Sequence, residues 1–401
     1  MSDPLLRADP LLRAFVLDRL GLRGPLWAPQ VAAAAATDLG MIQIDSIRVM
    51  GLRNHELAWA ARTEAPVSAL YDHLYRHRNM IETHYPVFAT RRDWLPWFLR
   101  DFGKAINADR LRELRPVMRR VLNHIAEHGP VSPADFESER VIGGFNTIKE
   151  TTKALEYLFY TGKLQIVGRT AHFHRLFDLT ERVGADLMTA PDTWRRDNGL
   201  FFVQSALTVL KLATAQQLAE RTAHHIGSWR GGGLPLARKL VAKAEQRDVI
   251  QRVPFGDAGG EKAPHFALKS DLDAFAKRAD LGDDLARLIP PLDNLLFNRR
   301  RLTELFGFTY KFEAYTPQHQ RRFYFALPII YRDAVVGQLD AKKDGGDWRV
   351  LDLDIHGDLP VEALRRAVHR LARIVETDRV TVASTVTSKW RRGLAGRVDP
   401  A

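Results

Sequence analysis

The sequence predicts an α+β fold in which tandem winged helices precede a β-rich C-terminal element. Three observations predict it: a pattern of three helices and a hairpin over 116–182, a second pattern of the same order beginning about 85 residues later, and several strand-like segments after residue 288. A chain of 401 residues has the length of two to four domains of about 100–200 residues. We therefore expect four domains: an N-terminal helical, winged-helix-like domain over 1–115, a central winged helix over 116–195, a third winged helix over 196–285, and a β-rich domain with a helix over 286–401.

The composition narrows the class of protein. Basic residues number 59 and acidic residues 48, and a formal net charge of +11 favours a polyanionic partner, most commonly nucleic acid. A generally basic surface without such a partner is the alternative explanation. Cysteine is absent, which excludes disulfides, thiolate nucleophiles and cysteine-ligated zinc. No apolar run of about 18 residues and no signal-peptide pattern at the start are found, so we expect a cytoplasmic, nucleoid-associated protein.

The first segment is expected to be helical. Apolar residues recur at helical spacing over 11–20, and the alanine-rich stretch 30–38 suits a second helix because alanine has the highest helix propensity. A third helix is expected over 47–60.

Residues 91–120 are basic and aromatic. They contain nine Arg or Lys and four Asp or Glu, and the aromatic residues among them are Trp94, Trp97, Phe98 and Phe102. This stretch suits a helical surface that faces DNA, but an amphipathic helix with a solvated charged face explains it equally well.

Residues 116–182 show the clearest pattern. Ser132 is a suitable N-cap and Pro133 a suitable first residue for a short helix. The longer elements are helices over 116–128 and 147–160, and strands over 164–168 and 171–178. This order is typical of a winged helix, whose third helix usually enters the major groove of DNA. Many winged helices bind only proteins, so the pattern alone does not establish DNA binding.

The same order recurs further along the chain, in architecture and not in sequence. We expect helices over 201–211, 214–221 and 236–246, with Thr214 as a cap, followed by strands near 249–254 and 265–268. Beyond residue 288 we expect strands over 310–315, 322–331, 334–342, 348–354 and 379–384, a helix over 360–376, and a loose terminus from Thr387.

Gln43 and Asp45 are the candidate catalytic residues. They lie two positions apart in an apolar run, and in an extended chain such residues project from the same side. The pair could then hold one water or one substrate between them. The alternative is that Asp45 or Ser46 only caps the helix expected over 47–60.

Two other clusters are weaker candidates for metal binding. His172 and His174 share one face of a predicted strand but lack an acidic partner, so residues of the wing that face solvent or DNA are the simpler interpretation. Asp352, Asp354 and His356 alternate near a strand end, where a solvated sheet edge is the simpler interpretation. We therefore assign no metal.

Three stretches together resemble the bacterial YcaQ/AlkZ family of winged-helix DNA glycosylases, which repair alkylated and crosslinked DNA. They are 39–47, 153–182 and 291–308, and they occur in the family's order along nearly the whole chain. Gln43 and Asp45 match the Gln-apolar-Asp subgroup, which is similar to YcaQ. The stretch 82–86 departs from the family's pattern.

The resemblance implies winged helices arranged around a DNA channel and hydrolysis of the N-glycosidic bond of N7-alkylguanine and related cationic N-alkylpurines, including unhooking of interstrand crosslinks. The substrate would be double-stranded DNA that contains alkylated or crosslinked purines. The sequence has no catalytic-lysine motif, so we expect a monofunctional enzyme, and no heptad seam or dimerisation helix, so we expect a monomer. We expect no cofactor. Asp45 would be the base and electrostatic stabiliser, and Gln43 would position water.

Candidate DNA contacts are basic side chains on the third helix, the wing and a β turn. They are Lys149, Lys153, Arg169, His172, Arg175, Arg321 and Arg322. The alternative function is a non-catalytic winged-helix transcriptional regulator, but a regulator would gain nothing from a carboxylate that repels phosphate. A wing that mediates protein interaction is a third alternative, which the positive charge disfavours.

Overall fold

A computed structural model describes residues 9–83, 87–98, 108–136, 141–142, 148–184, 199–226, 233–254, 263–278 and 284–399. The structure contains both helices and strands, as expected. The chain divides into two compact units, Met1–Leu70 with Gly199–Ala401, and Tyr71–Asn198. The structure thus groups the segments differently from four consecutive domains, because the N-terminal segment belongs to the same unit as the C-terminal half.

The N-terminal part of the first unit is helical, as expected. Its elements are helices Pro10–Arg19, Pro29–Asp38, Asn54–Ala60 and Val67–Tyr71, and the strand Met41–Gln43. The helix expected over 47–60 forms, but its predicted first residue is wrong. Gly51 has a φ of +86°, and a Cβ there would lie 2.9 Å from a methyl carbon of Val375. A backbone in the left-handed region ends any helical run, so the helix begins only at Asn54.

The second part of this unit has the element order expected for the third winged helix. Its elements are helices Leu200–Leu210, Ala215–Ile226, Gly233–Gln246 and Lys269–Ala276, and strands Ala213–Thr214, Gln251–Arg252 and His265–Ala267. His265–Ala267 pairs antiparallel with both other strands. Thr214 caps its helix as predicted, because its Oγ1 accepts from the N–H of Gln217 at 3.4 Å, and its own N–H donates to Oε1 of Gln217 at 3.0 Å.

The segment 284–399 is described without a gap and forms a six-stranded sheet covered by helices. The strands in sheet order are Arg287–Leu288, Leu327–Tyr331, Ala334–Asp344, Asp347–Ile355, Arg379–Val382 and Gly396–Arg397, and the helices are Arg299–Phe306, Val361–Ile374 and Ser388–Leu394. The strand expected over 310–315 is absent from this segment; Tyr310 is buried there in irregular backbone, and its hydroxyl donates to Ala326 O at 2.9 Å.

The expectation that the chain is loosely ordered from Thr387 onward is also wrong. Trp390 and Leu394 are buried, and Gly396 pairs with Val380 at the edge of the sheet. Burial of these apolar side chains orders the tail up to Asp399.

Shared cores explain why the two ends of the chain form one unit. Met50 and Leu57 pack in the same cluster as Trp348 of the sheet and Leu364 of its covering helix. A second cluster joins Phe15 of the first helix to the helix Arg299–Phe306.

The second unit contains the order of elements expected for the central winged helix. Its helices are Leu95–Phe98, Ala108–His128, Glu150–Tyr160 and Thr180–Val183, and its strands are Met80–Thr83, Phe88–Arg91, Val141–Ile142, Ile148–Lys149, Leu164–Arg169 and Arg175–Leu179. Ser132 is a cap and Pro133 begins a helix, as predicted, but Pro133–Asp135 is a 3-10 turn. The long helix begins at Glu150, because Ile148–Lys149 forms a strand with Val141–Ile142.

The described aromatic residues of 91–120 are core residues. Trp94, Trp97 and Phe98 are all less than 10% exposed, so they offer no stacking surface to DNA, and Phe102 lies outside the described residues. Of the helices that the structure describes, none has the length and apolar character needed to cross a membrane.

Candidate active site

The strand Met41–Gln43 and the residues after it carry the candidate catalytic pair. Ile42 and Ile44 are at most 4% exposed, whereas Gln43 and Asp45 are partly exposed. This alternation is the pattern expected when the two polar side chains leave the backbone on the side away from the core. Their carboxamide and carboxylate are therefore both within reach of solvent.

Asp45 is oriented by the backbone that follows it. Its Oδ1 accepts a hydrogen bond of 2.7 Å from the N–H of Ile47, an Asx-type turn. The hypothesis that Asp45 or Ser46 caps a helix starting at residue 47 is wrong, because the helix starts at Asn54 and the Glu56 carboxylate accepts from the N–H of its N-cap, Arg53, at 2.6 Å. In the described part of the chain no cation pairs with Asp45, so its second oxygen is available to a substrate or a water.

Gln43 is fixed through its backbone by Asn54. The Asn54 Nδ2 donates to the carbonyl oxygen of Gln43 at 2.8 Å, and the Asn54 Oδ1 accepts from the N–H of Leu292 at 3.0 Å. Asn54 is fully buried. Among the described residues the Gln43 carboxamide has no hydrogen-bond partner, so the backbone is held and the functional group remains available.

A second asparagine holds the other end of this strand. The Asn294 Nδ2 donates to the carbonyl oxygen of Leu39 at 3.2 Å. The neighbouring Asp293 forms a bidentate ion pair with Arg62, at 2.7 and 2.9 Å, and both side chains are 1% exposed. The stretch 291–301, which the sequence singled out, therefore supports the residues that flank Gln43.

Arg221 lies at the start of the same strand. Its guanidinium contacts the sulfur of Met41 at 3.5 Å and stacks on the ring of Phe297 at 4.6 Å. Its Nε donates to Nε2 of His225 at 3.1 Å, and burial lowers the pKa of His225 well below its usual value, which keeps this imidazole a neutral acceptor. Sequence reasoning missed Arg221 and Asn54, whose partners are distant in the chain.

The candidate DNA contacts in the second unit differ in how far their charges are already neutralised. Lys149 is exposed at the start of its helix, whereas Lys153 forms an ion pair of 2.8 Å with Glu156. Lys149 was expected on the third helix, but it precedes the helix Glu150–Tyr160 as its N-cap. His172 is exposed in the turn between the strands Leu164–Arg169 and Arg175–Leu179.

The guanidinium of Arg169 forms an ion pair with the buried carboxylate of Glu82. Its Nε donates to Glu82 Oε1 at 2.9 Å and its Nη2 contacts the other oxygen, while the hydroxyl of Tyr75 donates to the same carboxylate at 2.7 Å. Arg175 lies 4.0 Å from Glu82. Burial raises the pKa of Tyr75 well above its usual value. This cluster anchors the hairpin Leu164–Leu179 to the strand Met80–Thr83 within the second unit. It lies at the border of the stretch 82–86, of which residues 84–86 lie outside the described residues.

The two candidate DNA contacts of the first unit, Arg321 and Arg322, already have hydrogen-bond or ion-pair partners within the protein. Arg321 donates to Thr316 O at 3.3 Å and stacks on Tyr324, and Arg322 pairs with Asp352 at 2.8 Å and Asp354 at 3.1 Å. The carboxylate of Asp354 also lies 3.3 Å from the imidazole of His356.

No group of three or more residues suited to hold a metal ion occurs among the described residues. The carboxylates of Asp352 and Asp354 face an arginine, and the rings of His172 and His174 lie 6.5 Å apart in a turn.

Comparison with known proteins identifies the family and a similar fold. The family model described as DNA glycosylase AlkZ-like matches residues 36–374. The structure is similar to that of the Streptomyces sahachiroi DNA glycosylase AlkZ, with a TM-score of 0.55, 17% sequence identity, and coverage of 94% of this chain and 99% of that chain. At this identity the structural likeness shows the fold, and the match to the family model shows the family. The chain therefore belongs to the AlkZ-like DNA glycosylase family.

Proposed function

We propose that this DNA glycosylase is monofunctional and hydrolyses the N-glycosidic bond of N7-alkylguanine and related cationic N-alkylpurines in double-stranded DNA, and that it also unhooks interstrand crosslinks. The observation that carries the proposal is that the Asp45 carboxylate is held in place but forms no ion pair among the described residues. This carboxylate is oriented by the N–H of Ile47 and is unpaired among the described residues, and it lies two residues after a glutamine whose backbone is clamped by Asn54.

The chemistry of the substrate defines what the site must supply. An N7-alkylated purine carries a positive charge and leaves C1′ as a neutral base, so no general acid is needed. As the bond between C1′ and N9 breaks, positive charge develops on the sugar, and a nearby carboxylate stabilises it. Water then bonds to C1′ and gives its proton to Asp45, the general base.

Gln43 suits the task of holding that water. Its carboxamide both donates and accepts hydrogen bonds and adds no negative charge beside Asp45.

We further propose that the helices and hairpins over 108–182 and 200–267 are winged helices, and that the enzyme holds DNA in an open channel. A base that is tied to the opposite strand resists full extrusion into a closed pocket, although glycosylases usually extrude their target. An open channel accommodates such a lesion. Lys149 and the other basic candidates would contact phosphates in that channel, and the enzyme would act as a monomer.

The test is release of free base from a duplex with a single N7-methylguanine, measured under single-turnover conditions together with DNA affinity. We expect Asp45→Asn to lower the rate by at least about a hundredfold and Gln43→Ala by about tenfold or more, with affinity retained. Asp358→Asn and Gln204→Ala remove the same groups from exposed positions of the same unit and should release base at the wild-type rate.

A duplex with an interstrand N7-guanine crosslink tests the wider substrate range. Wild-type protein that binds both duplexes tightly and releases base from neither would overturn the proposal in favour of a non-catalytic DNA-binding protein. Release from the monoadduct alone would remove crosslink unhooking from it.

A further inference from the structure

A cavity beside the helix Val361–Ile374 in the first unit carries an excess of positive charge. Its volume is about 340 Å³, within the range of about 300–1,000 Å³ typical of small-ligand pockets. Among the described residues, five arginines and two carboxylates, those of Glu362 and Asp399, line it. The arginines are Arg287, Arg365, Arg366, Arg370 and Arg373.

Besides Arg287, which donates to Ala61 O at 2.7 Å and to Gly24 O, four of these guanidinium groups are held by backbone carbonyl oxygens. Arg366 donates to Asp284 O at 2.9 Å, Arg373 to Asp399 O at 2.9 Å and Arg365 to Gly393 O at 3.2 Å, and Arg370 donates to Ala60 O and Thr63 O. In the described part of the chain none of the four forms an ion pair with a carboxylate. Carbonyl groups fix the positions of these side chains but leave their formal charges uncancelled.

The pKa of Arg370 shows that burial without a bound carboxylate disfavours its charged form. Burial lowers its pKa, the neighbouring Arg373 lowers it further, and Glu64 opposes these effects. A guanidinium that is partly removed from water without a bound carboxylate is stabilised by an added anion.

The spacing along the helix makes room for that anion. Arg366, Arg370 and Arg373 follow each other at intervals of four and three residues and so share one face. Ala363 and Ala367 lie on the same side of the helix and line the cavity, and their small side chains leave space between the arginines.

We propose that this cavity binds a phosphoryl group. Arginine donors match the oxygens of a phosphate in pairs, and several of them around one cavity are the arrangement that phosphate recognition uses. The group can come from the DNA backbone or from a free phosphorylated molecule of about mononucleotide size, and the two sources share this chemistry.

The experiment uses the full chain and inorganic phosphate, titrated calorimetrically against chloride at constant ionic strength. The double variant Arg366→Gln with Arg373→Gln removes two exposed guanidinium groups from the cavity. The control, Arg247→Gln with Arg349→Gln, removes two exposed charges elsewhere in the same unit. We expect saturable binding to wild type and control, weakened by about tenfold or more in the cavity variant.

Absence of saturable phosphate binding to the wild type, or equal weakening in the control, would overturn the proposal. Competition between phosphate and an undamaged duplex would identify the DNA backbone as the source, and simultaneous binding would identify a free molecule. Because no readout depends on base release, this proposal and the proposed function can fail separately.

Discussion

The side chain of Asn54 donates a hydrogen bond of 2.8 Å to the backbone carbonyl oxygen of Gln43. The same side chain accepts from the N–H of Leu292, 238 residues away in the sequence. The position of one candidate catalytic residue thus depends on a segment from the other end of the chain.

We expect Asn54→Ala to slow base release more than it weakens DNA binding. Loss of the clamp frees the backbone at Gln43, and a small misplacement of a reacting group lowers a rate by about ten- to a hundredfold. Two buried backbone groups also lose their partner, which should lower the free energy of unfolding by about 2–4 kcal/mol. Single-turnover rates below the unfolding temperature of the variant separate the two effects, and an unchanged rate in the folded variant would contradict a positioning role.

The ion pair between Arg62 and Asp293 should stabilise the first unit far more than a surface pair does. Asp293→Asn leaves a guanidinium buried beside a neutral group, and breaking a buried pair in this way costs about 3–5 kcal/mol. The matched control is Asp273→Asn, which breaks the exposed pair of Lys269 and Asp273 at a cost of about 1 kcal/mol or less. Denaturant unfolding measures both, and similar losses for the two variants would refute the expectation.

His73 should make the second unit sensitive to mild acid. Burial, with a smaller contribution from His77, lowers the pKa of His73 to about 4, from 6.5 in an unfolded chain. Below pH 6.5 the unfolded chain therefore binds a proton that the folded chain does not, so stability falls with decreasing pH until about pH 4 and is fully present above pH 6.5.

The measurement is denaturant unfolding of the full chain at several pH values between 7.5 and 4.5. His73→Asn should flatten the decline over this range. His174→Asn, at an exposed position of the same unit, should retain the wild-type slope. Equal slopes for wild type and His73→Asn would show that another group dominates the acid sensitivity.

Among the basic candidates, Lys149 should contribute most clearly to DNA binding. Its side chain is exposed, whereas the charge of Arg322 is shared with Asp352 and Asp354. A lysine that contacts one phosphate accounts for about 0.9 of the slope of log Kobs against log salt. Lys149→Gln should therefore lower the slope by about this amount and Arg322→Gln by less, and the reverse order in a salt series would contradict the expectation.

Local features of the fold were predictable because their causes are local. Ser132 and Thr214 have side chains that cap the following turn, and the few residues around them are enough to predict both caps. The Asp45 turn at Ile47 is also local, but the apolar residues beyond it suggested a helix that Gly51 interrupts.

The site could be predicted only in part, because its supports are distant in sequence. The contact between Arg221 and Met41 spans 180 residues and the pair of Arg62 and Asp293 spans 231. No periodicity or spacing around these residues carries information about such partners. The same reason applies to the tail: the strands and the helix of the sheet were predicted from local patterns, but the packing of Trp390 into their core was not.

The shared core of the two chain ends has a consequence for synthesis on the ribosome. The segment with Gln43 and Asp45 emerges early, but Asn294, Leu292 and Asp293, which hold it, are translated about 250 residues later. Until then Arg62 has no carboxylate partner and Met50 and Leu57 lack the sheet that covers them. A nascent or prematurely terminated chain thus exposes an unfinished apolar surface, which makes it a natural target for chaperones and proteases rather than a partly active enzyme.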